Sequence, residues 1–162
     1  MIHLRNSIAL FFFLIAGAAF AQGTSVPFGG MEGDRDAPVE VTADQLAVSD
    51  ADDTAIFTGN VVIGQNDMRL SAPRVEVIYT ADQSGISRLL ASGGVTLVSG
   101  EDAAEAQEAD YDVEAGIVIM TGDVLLTQTA NTLVSDRMRL DLEAGTAQMD
   151  GRVRTVLQPG RE

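Results

Sequence analysis

The sequence predicts an all-β fold, a V-shaped β-solenoid or jellyroll of repeated antiparallel strand pairs with two facing sheets. Three observations predict it: an internal repeat carried by two independent anchors, period-two alternation of apolar and polar residues, and turn residues at the joints between repeats. A repeat of this length is the mark of stacked supersecondary units, each too small to bury its own apolar face.

The first anchor is Phe57-Thr-Gly-Asn-Val-Val-Ile63, which recurs as Ala91-Ser-Gly-Gly-Val-Thr-Leu97, Met120-Thr-Gly-Asp-Val-Leu-Leu126 and Met149-Asp-Gly-Arg-Val-Arg-Thr155. Its glycines, Gly59, Gly93, Gly122 and Gly151, are spaced by 34, 29 and 29 residues. The second anchor is Ala72-Pro-Arg-Val-Glu-Val77, followed by Ala106-Gln-Glu-Ala-Asp-Tyr111 and Ser135-Asp-Arg-Met-Arg-Leu140, spaced by 34 and 29. Two anchors with the same offsets define one unit: a strand, a turn and a second strand. The turns fall at Gln65-Asn66-Asp67, Asp82 to Gly85, Glu114 to Gly116 and Glu143 to Gly145. Glu101 to Glu108 has helical propensity, but the register of the repeat assigns it to a turn and the start of a strand.

Along the chain, Met1–Ala21 has a basic start at Arg5, an apolar run from Ile8 to Ala16 and an Ala19-Phe20-Ala21 cleavage signal, the layout of a secretory signal peptide. Residues 22–37 are Gly-rich and aperiodic and read as a flexible leader, with Pro27-Phe28-Gly29-Gly30 as linker. Residues 38–157 carry the repeat and form one β-domain, and residues 158–162 are a short tail. A glycine in mid-strand is costly unless it marks a bulge or bend, so one per unit folds every layer at the same corner.

Alternation then assigns faces. Ala55, Phe57, Val61 and Ile63 point inward, as do Leu89, Ala91, Val95 and Leu97, and Val118, Met120, Val124 and Leu126. The second-anchor strands turn Val75, Val77, Ala109, Tyr111, Val113, Met138 and Leu140 to the same side, and Arg74, Glu76, Glu108, Asp110, Asp112, Arg137 and Arg139 to the other. The two ends of such a solenoid expose edge strands that invite pairing with another chain.

Composition limits the chemistry. The chain has no Cys and no Trp, all ten basic residues are Arg, and its one His, His3, lies in the signal peptide. The usual nucleophile–base pairs, common metal ligands and a neutral-pH proton shuttle are therefore missing, and no catalytic, metal or cofactor role is expected. A net charge of −14 disfavours nucleic acid, which needs a basic stripe. Asp50 to Asp53 lacks calcium-loop spacing, and Asp110 with Asp112 sits on one outer strand face rather than in a catalytic pair.

Pro38 to Gln45, Phe57 to Ile63, Ala109 to Val113, Met120 to Leu126 and Gly151 to Leu157 together resemble the OstA-like family of lipopolysaccharide transport proteins. The resemblance runs from about Pro38 to Leu157 and rests on order and spacing, no single motif being diagnostic. It implies an OstA-like twisted β-jellyroll in the periplasm that binds lipopolysaccharide and stacks head to tail with copies of itself. It also implies edge-strand partners, an inner-membrane extraction complex and an outer-membrane translocon. On the family's pattern, Val39 and Val41 in the first strand, Leu97, and Tyr111 with Val113 line the lipid groove. Inward alternation adds Phe57, Val61, Ile63, Met120 and Leu126. The chain departs from the family in having no Lys and no basic tail, so only Arg69, Arg74 and Arg88 are available for lipid phosphates. The alternative expectation is a non-catalytic β-solenoid scaffold that assembles through its edges without a lipid. Subunits of the same pathway with a membrane barrel or a retained N-terminal anchor are disfavoured by the end at Glu162 and by the cleavage signal.

Overall fold

The computed structural model describes residues 24–29, 37–129 and 131–156; the stretch expected to be a signal peptide, most of the expected leader and the expected tail lie outside the described residues. Among the described residues eleven strands follow one another: β1 (Thr24–Pro27), β2 (Glu40–Thr42), β3 (Gln45–Ser49), β4 (Thr54–Gln65), β5 (Met68–Tyr79), β6 (Ile86–Ser99), β7 (Asp102–Asp112), β8 (Ile117–Gln128), β9 (Asn131–Asp141), β10 (Thr146–Asp150) and β11 (Arg154–Val156). All pairings are antiparallel, in the order β1-β10-β9-β8-β7-β6-β5-β4-β2, with β3 also on β4 and β11 also on β9.

The long strands β4, β6 and β8 are each interrupted in register at an anchor glycine. Register breaks fall between Thr58 and Val61, Ser92 and Val95, and Thr121 and Val124. At each, two residues with positive φ oppose one on the neighbouring strand: Gly59 and Asn60, Gly93 and Gly94, Gly122 and Asp123. Gly151 and Arg152 repeat the geometry between β10 and β11, and there Asp136 donates its backbone N–H to the Gly151 carbonyl at 3.0 Å. Asp44, between β2 and β3, does the same to Gly59 at 2.9 Å. Pro73 sits opposite two of these bulges, a position in mid-sheet where its missing N–H leaves no ladder bond unmade.

The line of bulges divides the sheet into two halves. One half contains β3, the first part of β4, the second part of β5 and their repeats, ending at β10 and β1. The other begins at β2 and ends at β11. Inward side chains of both halves are buried, including Val61, Ile63, Leu70, Leu97, Met120, Leu126, Met138 and Leu140. A lone sheet cannot bury a whole face, so each half covers the other. The alternation predicted for β4 to β9 is the alternation seen. Glu101 to Glu108 lies in the turn and strand β7 as expected, with Ala104 and Ala106 buried and Glu105 and Gln107 outward.

The hairpin turns recur as well. Asp112 and Asp141 each accept a backbone N–H three residues on, from Ala115 and Ala144, both at 2.9 Å, and Gly116 and Gly145 close the turns with positive φ. This accounts for Asp112. Asp110, its neighbour on the face, is paired with Arg88.

The flexible-leader reading of residues 22–37 needs correction at residues 24–29. Thr24–Pro27 forms β1 on β10, and Phe28 is fully buried, with its N–H bonded to the Gly145 carbonyl at 3.0 Å. The apolar spacing Val26-x-Phe28 is too short to register as a strand within Gly-rich surroundings, yet the exposed edge of β10 is enough to order it. Gly29 follows because an added Cβ there would lie 2.5 Å from Ser99 Oγ.

Candidate functional site: an apolar interior open at one end

The predicted lining residues fall into two sets. Val61, Ile63, Leu97, Tyr111, Met120 and Leu126 are buried deep between the half-sheets. Val39, Val41, Phe57 and Val113 are partly buried and packed against that core. Val41 and Phe57 belong to the N-terminal end, where β2 and β3 are the last strands of the two halves.

Two residues at that end were not singled out from the sequence. Leu46 pairs with inward Phe57 and Val48 with inward Ala55, so both face the interior, yet they are 57 % and 64 % exposed. Their alternation in Gln45-Leu-Ala-Val-Ser49 was the available signal, but the stretch lies outside both repeat anchors. Leu46, Val48, Val41 and Phe57 thus form an apolar mouth at the N-terminal end of the core. The opposite end differs: β1 covers β10 there, and Phe28 fills the interior beside it.

Polar bonds tie the two halves together across the interior. Tyr111 Oη, at the end of β7, donates to Gln65 Oε1, at the end of β4, at 2.5 Å. Gln65 in turn donates from Nε2 to the Ala37 carbonyl at 3.0 Å. Burial pushes the Tyr111 hydroxyl up to about 12, against the smaller opposite pull of the Gln65 bond. Asp102 Oδ2 accepts the Gly29 N–H at 2.6 Å and the Gln128 amide at 3.1 Å, holding the N-terminal segment at the lip of the other half.

The arginines considered for phosphate contact are engaged on the outside. Arg69 bonds the carbonyls of Asn66 and Met68, Arg74 pairs with Glu76 at 3.5 Å, and Arg88 forms a two-point pair with Asp110. The interior itself offers apolar contact, with few polar groups: Tyr111, Gln65 and Ser135 are hydrogen-bonded, and the buried Ser99 Oγ has no partner among the described residues.

A folded-over antiparallel sheet with a lengthwise apolar interior and one open end defines an open-ended β-jellyroll. Residues 40–146 match the LptA/(LptD N-terminal domain) LPS transport protein family, and the chain belongs to that family. It is 32 % identical over 157 residues to an uncharacterised protein of Rhizobium meliloti (strain 1021), covering 90 % of this chain and 84 % of that one. It is 24 % identical over 154 residues to the lipopolysaccharide export system protein LptA of Escherichia coli (strain K12), covering 89 % and 83 %. The fold matches the crystal structure of LptH, the LptA-homologous periplasmic component of the lipopolysaccharide transport device of Pseudomonas aeruginosa. The TM-score is 0.70 at 19 % identity, covering 78 % of this chain and 99 % of that one.

Proposed function

We propose that this chain is a periplasmic lipopolysaccharide-binding transport protein that takes lipid A acyl chains between its half-sheets. Copies stack head to tail and so link an inner-membrane extraction complex to an outer-membrane translocon. One observation carries the reading: the inner face is apolar from the core out to the mouth, where inward-facing Leu46 and Val48 are exposed. Hiding hydrocarbon from water is worth about 0.8 kcal/mol per CH₂, so a lipid with several acyl chains needs a long apolar shelter to cross an aqueous space. The acidic surface repels a phosphorylated headgroup and leaves the tails as the part held.

Photo-crosslinkers placed at Leu97, Tyr111 and Leu46 in cells test the reading. Capture of lipopolysaccharide at these positions, and none at outward Asp112, supports a lipid-lined interior. Capture from outward positions alone overturns it. Stacking is tested by Val41→Arg or Val153→Arg, each expected to shift sedimentation toward the monomer. A scaffold without lipid is favoured by the tight burial of Leu97, Met120 and Leu126, which already serve as core, and the same crosslinks separate the two readings.

A further inference from the structure

The two terminal strands of one half-sheet hold the same register. On β4, β3 places Leu46 opposite Phe57, Ala47 opposite Ile56, Val48 opposite Ala55 and Ser49 opposite Thr54. On β10, β1 places Thr24 opposite Met149, Ser25 opposite Gln148, Val26 opposite Ala147 and Pro27 opposite Thr146. The internal repeat makes Met149 the equivalent of Phe57, Ala147 of Ala55 and Thr146 of Thr54, each counted back from the anchor glycine. Thr24–Pro27 therefore lies on the outer edge of β10, the side that β5 takes on β4 and β9 takes on β8, while β3 lies on the opposite, outer edge of β4. Pairs run straight across each strand, so Val26 opposite Ala147 takes the register that Val48 of a second copy would take on that edge.

We propose that the β10 edge is the docking site for β3 of a second copy, and that β1 is the chain's own stand-in for that strand. The inference rests on the head-to-tail reading and adds a competitor to it. β3 is suited to the exchange: its free edge and the exposed Leu46 and Val48 gain on β10 the cover they lack on β4 alone. β1 is suited to release. It has four residues, three of them exposed, and it ends in Pro27, which has no N–H for a ladder bond. In the other half-sheet no described residue stands in on β11, so among the described residues β2 of the second copy, with Val41 opposite Thr155 by the same repeat, meets a free edge. Stacking then requires β1 to leave β10, and an isolated copy covers its own edge.

The chain has no cysteine, so one engineered pair gives a single disulfide. Ser25→Cys with Gln148→Cys, on directly opposed residues, locks β1 to β10 when oxidised, and the same protein reduced is its own control for folding. Analytical ultracentrifugation over a concentration series is expected to show self-association at least tenfold weaker in the oxidised form than in the reduced form. Val26→Asp, which loosens β1, is expected to strengthen association. If oxidation changes nothing while Val48→Arg abolishes association, stacking stands and the stand-in role is overturned. If no species associates, Val26→Asp included, both fall. Failure of the disulfide to form, read by thiol titration, also overturns the proposal.

Discussion

Tyr111 and Gln65 meet across the interior, the tyrosine hydroxyl donating to the glutamine oxygen at 2.5 Å although the residues lie 46 positions apart. The bond joins the end of β7 in one half-sheet to the end of β4 in the other, so it reports directly on whether the two halves are closed. Tyr111→Phe keeps the ring and removes the bond, and it is expected to cost about 1 kcal/mol in urea unfolding at neutral pH.

The same tyrosine carries a pH dependence. Its folded-state value lies near 12 and its ordinary value near 10, so the folded chain holds the proton more tightly. The stabilisation is complete below pH 10 and is lost as pH rises from 10 toward 12. Unfolding curves in that window should fall steeply for the parent and be flatter for Tyr111→Phe.

At low pH the sign reverses. Hydrogen bonds from the Thr80 and Ser84 side chains hold Asp82 down at about 2, and Arg152 holds Asp136 below the usual carboxylate range. Both contribute stability above pH 3.8 that is lost as pH falls through their folded-state values. Asp82→Asn should shallow the acid limb of a stability–pH curve between pH 3.8 and about 2.

The corner glycines are not equivalent. Gly94, with φ of +99° and nothing within 4 Å of an added Cβ, meets only backbone strain, so Gly94→Ala should cost about 1–2 kcal/mol. Gly122 has φ of +85°, and its Cβ would lie 2.8 Å from Gln107 Cβ and Cγ. Gly122→Ala is expected to cost more than Gly94→Ala, measured by denaturant midpoint at constant slope.

Phe28 tests the corrected leader. As a flexible linker residue it could be replaced without effect; as a buried side chain, Phe28→Ala should cost about 3 kcal/mol. Thermal unfolding of the two chains decides between these outcomes.

Most of the fold is legible along the chain because its cause is local. Alternation sends Ile63, Leu97 and Leu126 inward whatever their neighbours are, and only a residue free to adopt positive φ can turn each strand at Gly59, Gly93 and Gly122. Turn chemistry at Asp112 and Asp141 is likewise written within five residues. The arginines show where that legibility stops: charge alone suggested Arg74 and Arg88 for phosphate, and their carboxylate partners Glu76 and Asp110 became visible only with the sheet assembled.

By itself, then, the sequence determined the repeated strands, their faces and the corner, all consequences of period. Tertiary structure alone decided how the ends differ. Whether Leu46 and Val48 stay uncovered, and whether Thr24–Pro27 fills the β10 edge with Phe28 in the core, depends on pairing between segments more than a hundred residues apart. No local pattern encodes such a pairing; it follows from which edge is left open once the sheet has closed.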